Sequence, residues 1–149
     1  MDGLQGAVLD VKLKYLDRWN EQRRKYAQRY QELLAGCGDI QFLETRDENE
    51  HIYHLFVVKT SKRDALQQHL KSKGIDTGIH YPIPIHLLEA MQSHGGKEGL
   101  PAVAPRGAKV GSFPIAEKLA QEILSLPMYP ELTEKQIDEV CVTIEKFFE

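Results

Sequence analysis

From Leu4 onward the apolar positions Ala7, Val8, Val11, Tyr15, Trp19, Tyr26, Tyr30 and Leu33 recur mostly at three- and four-residue steps. That is the period at which side chains share one face of a helix. Residues 3–35 are therefore predicted to form a single long helix. Asp2 offers a carboxylate to the unpaired N–H groups of the first turn, and Gly36 offers a C′ stop. At ~1.5 Å per residue such a helix would run roughly 48 Å, longer than a domain of 149 residues is wide. Leu9, Leu13 and Leu16 make a second apolar row, so the first half is apolar on more than one side. Such a helix is expected to lean on a partner domain or a second copy of the chain; a central helix wrapped by its own domain is the other reading.

Beyond the helix, residues 37–149 are predicted to fold as the body of one single domain, 1–149, in an α+β layer: a small, mainly antiparallel sheet with helices packed on it. Ile40-Gln-Phe-Leu43 and His51 to Val58 read as strands, the second rich in β-branched and aromatic residues, with an apolar end buried on both faces. Ser61-Lys-Arg-Asp64 has capping-box spacing, Leu66 and Leu70 mark the buried face of the helix it would open, and Gly74 ends it. Ile75 to Thr77 is predicted as a return strand. Residues 93–111, rich in Gly and Pro, are predicted to form a long loop. A short helix over 114–124, a strand at Ser125-Leu126 and a closing helix over 134–148 follow. The last is opened by a Thr133–Gln136 capping box and striped by Ile137, Val140, Ile144 and Phe147.

The charge pattern excludes some partners. With 19 basic and 22 acidic side chains interspersed, the net charge is −3, and the densest basic cluster, Arg23-Arg24-Lys25, lies within a helical pattern flanked by acids. No basic face for nucleic acid is expected. No apolar run approaches the ~20 residues of a membrane span, and the first residues lack a secretory signal, so no membrane contact and a cytoplasmic location are expected. Cys37 and Cys141 stand alone, which predicts two reduced thiols, one near a loop and one in a helix.

Candidate chemistry concentrates between Gly78 and His86. His80 and His86 are six apart with Pro82 and Pro84 between them, so the backbone should be extended. That spacing is not the i, i+4 pair of a helical metal site, and no metal is expected. Alternation along an extended segment would put His80, Pro82, Pro84 and His86 on one side and Tyr81 on the other. Such a strip suits recognition of a polar ligand; structural proline turns carrying incidental histidines are the other reading.

A family resemblance bears on this choice. Gly74-Ile75-x-Thr77-x-x-His80-Tyr81-Pro82-x-Pro84-x-His86 resembles a run found in the sugar aminotransferases of the DegT/DnrJ/EryC1/StrS family. The stretch from Phe113-Pro114-x-Ala116-Glu117 through Leu124-Ser125-Leu126-Pro127-x-Tyr129-Pro130 is similar to a second family signature. Asp2 to Leu9 resembles the opening of the family's C-terminal region. The resemblance implies the C-terminal small domain of a fold-type-I, pyridoxal-phosphate-dependent enzyme, packed beside a large cofactor-binding domain and shaping the nucleotide-sugar pocket. It assigns His80 and Tyr81 as substrate-binding contacts and His86 as a further one. It also implies that Glu117, Pro127 and Tyr129 orient the sheet edge and the last helix.

The family's Schiff-base lysine lies in a Ser-Phe-x-x-x-Lys stretch upstream of the matched region. Ser112-Phe113-Pro-Ile-Ala-Glu-Lys118 imitates it with one residue too many and no glycine turn after it. No catalytic residue and no cofactor-binding residue is therefore expected in this chain, and no pyridoxal phosphate is expected to bind it alone. Met1-Asp2 resembles the end of a family Asn-x-Arg-Met-Asp motif, which implies a truncated gene, an internal start or an expressed fragment. The alternative expectation is a stand-alone, non-catalytic binding or assembly module that keeps the small-domain fold.

Overall fold

A computed structural model describes residues 2–89, 91 and 108–149. The predicted N-terminal helix is present as two helices, α1 (Gly3–Leu13) and α2 (Leu16–Leu33). Asp2 caps α1 as expected, accepting from the Gln5 N–H while the Gln5 side chain accepts from the Asp2 N–H. The ladder tightens where the Tyr15 N–H bonds to the Lys12 carbonyl, three residues back, and α-helical bonding restarts beyond it. At this break Tyr15 stacks on Trp19, with 5.7 Å between ring centroids. Gly36, at φ 76°, ends the second helix in the left-handed region that favours glycine.

The sheet has the order β1-β2-β3, all antiparallel, from β1 (Gln41–Phe42), β2 (Phe56–Lys59) and β3 (Ile123–Leu126). The expected strand from His51 begins only at Phe56. Tyr53 has φ 49° and donates its N–H back to His51 Nδ1 at 2.8 Å, a turn that extended pairing cannot include. Within β2, Phe56 and Val58 are buried and Val57 is half-buried, so one face meets the core and the other is only partly covered. The strand expected at Ile75–Thr77 is absent too; pairing there shrinks to one bridge between Gly78 and Ser125.

Three further helices are α3 (Arg63–Ser72), α4 (Pro114–Glu122) and α5 (Glu134–Phe148). The capping box expected at Ser61–Asp64 does not form. The Asp39 carboxylate takes the Ser61 N–H, the Ser61 hydroxyl and the Thr60 hydroxyl instead, and this long-range acceptor outcompetes a local cap. Burial works against the charge on Asp39, yet these hydrogen bonds hold its carboxyl below the ordinary range. The Thr133–Gln136 box of α5 is present, and Gly74 closes α3 at φ 77°. The loop expected at 93–111 lies outside the described residues except for its last four.

The core gathers Tyr30 and Leu34 from the end of α2, Phe56 and Val58 from β2, Leu66 and Leu70 from α3, Leu124 from β3, and Ile137 and Ile144 from α5. Each buried Leu or Ile contributes about 1.5–3 kcal/mol of transfer free energy. Helix α5 packs against both α2 and α3, and Arg29 and Asp138 join it to α2 through two parallel hydrogen bonds of 2.9 and 2.8 Å. By contrast α1 buries no residue: Leu4, Val8, Leu9, Val11 and Leu13 are all exposed. Among the described residues no helix is long and apolar enough to cross a membrane.

Candidate functional site

Leu124 and Leu126 face the core, so Ser125 between them faces the opposite side of the sheet. There it holds the segment after α3 twice. Its backbone exchanges two hydrogen bonds with Gly78, of 2.8 and 3.1 Å. Its hydroxyl lies 2.9 Å from His80 Nδ1. The His80 ring rests over the Gly78 Cα so closely that any Cβ at position 78 would overlap it. Glycine is needed there for close approach rather than for an unusual φ.

This packing sets His80 at an open cleft of about 210 Å³ whose lining also includes His54, Asp76, Thr77, Ser125 and Met128. Tyr81 follows with 75% of its surface exposed, its ring edge-on to that of His80 at 5.7 Å. The His80–Tyr81 peptide bond is cis.

The extended strip does not continue to His86. Pro84 leads into a 3₁₀ turn, Ile85–Leu87, because proline restricts helix at the residue before it and not after it. The turn swings His86 inward to 6% exposure. His80 and His86 therefore do not share a side. His86 Nε2 meets Glu117 Oε1 at 3.0 Å, and its ring packs on Phe113 at 4.8 Å. Glu117 also accepts the N–H groups of Gly111 and Phe113. These two donors first, and then His86, lower its carboxyl pKa.

The second signature thus has mixed roles. Glu117 ties the start of α4 to the proline-rich segment rather than to the sheet edge. The Pro127 carbonyl accepts from the Tyr30 hydroxyl at 3.1 Å, joining the end of β3 to α2. Tyr129 is exposed. The sequence placed Ser125 in a motif and in a short strand but not as the partner of His80; a hydroxyl in the apolar run Ile123-Leu-Ser-Leu126 was the available signal. Among the described residues no group of three or more His, Cys, Asp or Glu side chains could hold a metal.

The sequence matches the DegT/DnrJ/EryC1/StrS aminotransferase family over residues 1–145. It is 44% identical over 144 residues to the erythromycin biosynthesis sensory transduction protein EryC1 of Saccharopolyspora erythraea, spanning 97% of this chain and 36% of that one. It is 38% identical over 149 residues to the dTDP-3-amino-3,4,6-trideoxy-alpha-D-glucose transaminase of Streptomyces venezuelae, spanning 100% of this chain and 36% of the relative. The fold superposes on the crystal structure of S. venezuelae DesV in complex with a ketimine intermediate, with a TM-score of 0.86 at 37% identity, covering 100% of this chain and 37% of that chain. The chain thus spans little more than a third of the length of these relatives.

The family's cofactor, pyridoxal phosphate, needs an enclosed lysine next to its aldehyde. Lys118 stands on the surface of α4, its side chain 73% exposed and 3.8 Å from Glu122. The cleft beside His80 has no lysine in its lining. Neither Lys118 nor the lining of this cleft offers that arrangement.

Proposed function

Because this chain belongs to the DegT/DnrJ/EryC1/StrS aminotransferase family, we propose that it forms one wall of the sugar pocket of a nucleotide-sugar aminotransferase. The cofactor chemistry then belongs to a large pyridoxal-phosphate-binding domain that works with it. The observation that carries the reading is the double hold of Ser125 on Gly78 and His80. It sets an imidazole at the cleft and a phenol beside it, and among the described residues the His80 Nε2 and the Tyr81 hydroxyl have no hydrogen-bond partner, which suits them to sugar or phosphate oxygens.

In this reading His80 and Tyr81 touch the substrate. His86, buried against Glu117, contributes by holding the Pro82–Pro84 segment in place. Helix α1, with no buried residue of its own, supplies the apolar surface on which the cofactor-binding domain or a second copy of the chain rests. A cytoplasmic setting is part of the same proposal.

A chimera tests it. This chain would replace the corresponding region of the S. venezuelae transaminase, and amino transfer to the dTDP sugar would be followed. An active chimera is expected, with His80→Ala and Tyr81→Phe each raising KM for the sugar several-fold and changing kcat less. A folded, active chimera indifferent to both substitutions would sink the reading.

A further inference from the structure

Hydroxyl and imidazole can pair in either direction, and the direction decides what His80 offers to a ligand. Ser125 is only 5% exposed, its backbone N–H and carbonyl are already paired with Gly78, and among the described residues its hydroxyl has one hydrogen-bond partner, His80 Nδ1. If the ring donated through Nδ1–H, the nearly buried hydroxyl proton would have no acceptor among the described residues, an arrangement that costs on the order of 1–3 kcal/mol. If the hydroxyl donates instead, its proton is satisfied, and the ring proton must sit on Nε2.

We propose that Ser125 is a positioning residue for His80: its hydroxyl donates to Nδ1, fixes the Nε2–H tautomer, and so turns a donor outward to the cleft. This rests on the reading that His80 faces the substrate. It sharpens that reading by naming the class of atom the cleft takes at this point, an oxygen acceptor such as a sugar hydroxyl, keto oxygen or phosphate oxygen, rather than a donor nitrogen. Gly78 is the second half of the device, since only a residue without Cβ lets the ring lie flat enough to reach the hydroxyl. The arrangement parallels metal-binding histidines, whose far ring nitrogen sets the tautomer of the near one.

The test is nitrogen NMR of the histidine rings in the intact 149-residue chain, at a pH above ~8 where an ordinary imidazole is neutral. The His80 signals are identified by their loss in His80→Gln. The expected wild-type result is a pair of well-separated nitrogen signals with the proton on Nε2. Ser125→Ala should collapse that separation toward an exchanging mixture, and Ser125→Thr, which keeps a hydroxyl, should restore it. Gly78→Ala, which leaves Ser125 intact and displaces the ring, should cause the same collapse and serves if Ser125→Ala does not fold. A wild-type ring protonated on Nδ1, or a folded Ser125→Ala or Gly78→Ala chain with unchanged His80 signals, would overturn the proposal. These spectra need no ligand, so their failure is distinct from a chimera that ignores His80, which would remove the substrate reading and leave the tautomer standing.

Discussion

His86 Nε2 lies 3.0 Å from Glu117 Oε1, and through that contact the end of the proline-rich segment is anchored to the first turn of α4. The same carboxylate gathers the N–H groups of Gly111 and Phe113, so one side chain organises three pieces of backbone.

Glu117 gives this anchor a pH dependence. Its carboxyl is held below the ordinary glutamate value by the Gly111 and Phe113 N–H groups and by His86, so the folded state favours the ionised form. The stability it adds is present above about pH 4.3, the unfolded value, and is lost as pH falls through the lowered folded value. Glu117→Gln should reduce the urea midpoint at neutral pH, and the gap from wild type should close in acid. A gap that stays constant down to pH 3 would contradict this assignment.

Gly38 combines a φ of 52° with the ring of Phe148 packed where a Cβ would stand. Gly38→Ala is expected to destabilise the fold by about 1–3 kcal/mol, read as a lower midpoint in chemical denaturation. An unchanged midpoint would show that the C-terminal turn of α5 yields freely.

Tyr30 is fully buried, stacks on Phe56 at 5.0 Å and donates to the Pro127 carbonyl. Tyr30→Phe keeps the ring and leaves that carbonyl unpaired, at an expected cost of about 1 kcal/mol. Thermal denaturation of the two proteins decides it; equal stability would mean the carbonyl finds another donor.

The exposed apolar rows of α1 should make the isolated chain self-associate. Light scattering is expected to show this. The double substitution Leu9→Glu with Leu13→Glu should return a monomer without moving the melting point, because neither side chain is buried. A strictly monomeric wild-type chain would remove the case for α1 seeking a partner.

Added to the isolated chain, pyridoxal phosphate should produce no Schiff-base absorption band that depends on one lysine. A band abolished by Lys118→Ala, or by replacing any other single lysine, would assign a cofactor site to this chain.

Much of the fold was legible because it rests on local rules. Helix α5 appears with its predicted bounds, since a capping box and a stripe of Ile137, Val140 and Ile144 specify start, face and length together. The thiols fall where expected, Cys37 in the turn after α2 and Cys141 inside α5, where burial pushes the Cys141 thiol up to about 12. Some misreadings were local, such as the turn at Tyr53 and the break before α2; in others a partner distant in sequence displaced a local preference. Asp39 took the donors of Ser61 from 22 residues away, and Glu117 received His86 from 31 residues away.

The strip from His80 to His86 shows the same division at the site. Residue type and spacing suggested an extended strip suited to a polar ligand, with the prolines as rigid punctuation, and the family resemblance assigned His80, Tyr81 and His86 to the substrate. Only the packed structure separated their roles, because a single 3₁₀ turn sends His86 into the interior while Ser125, 45 residues from His80, holds that ring at the cleft. Periodicity and capping act within a few residues and can be read along the chain. Which hydroxyl meets which imidazole depends on how β3 passes the segment after α3, and that is decided when the sheet and its helices bury their apolar faces against each other.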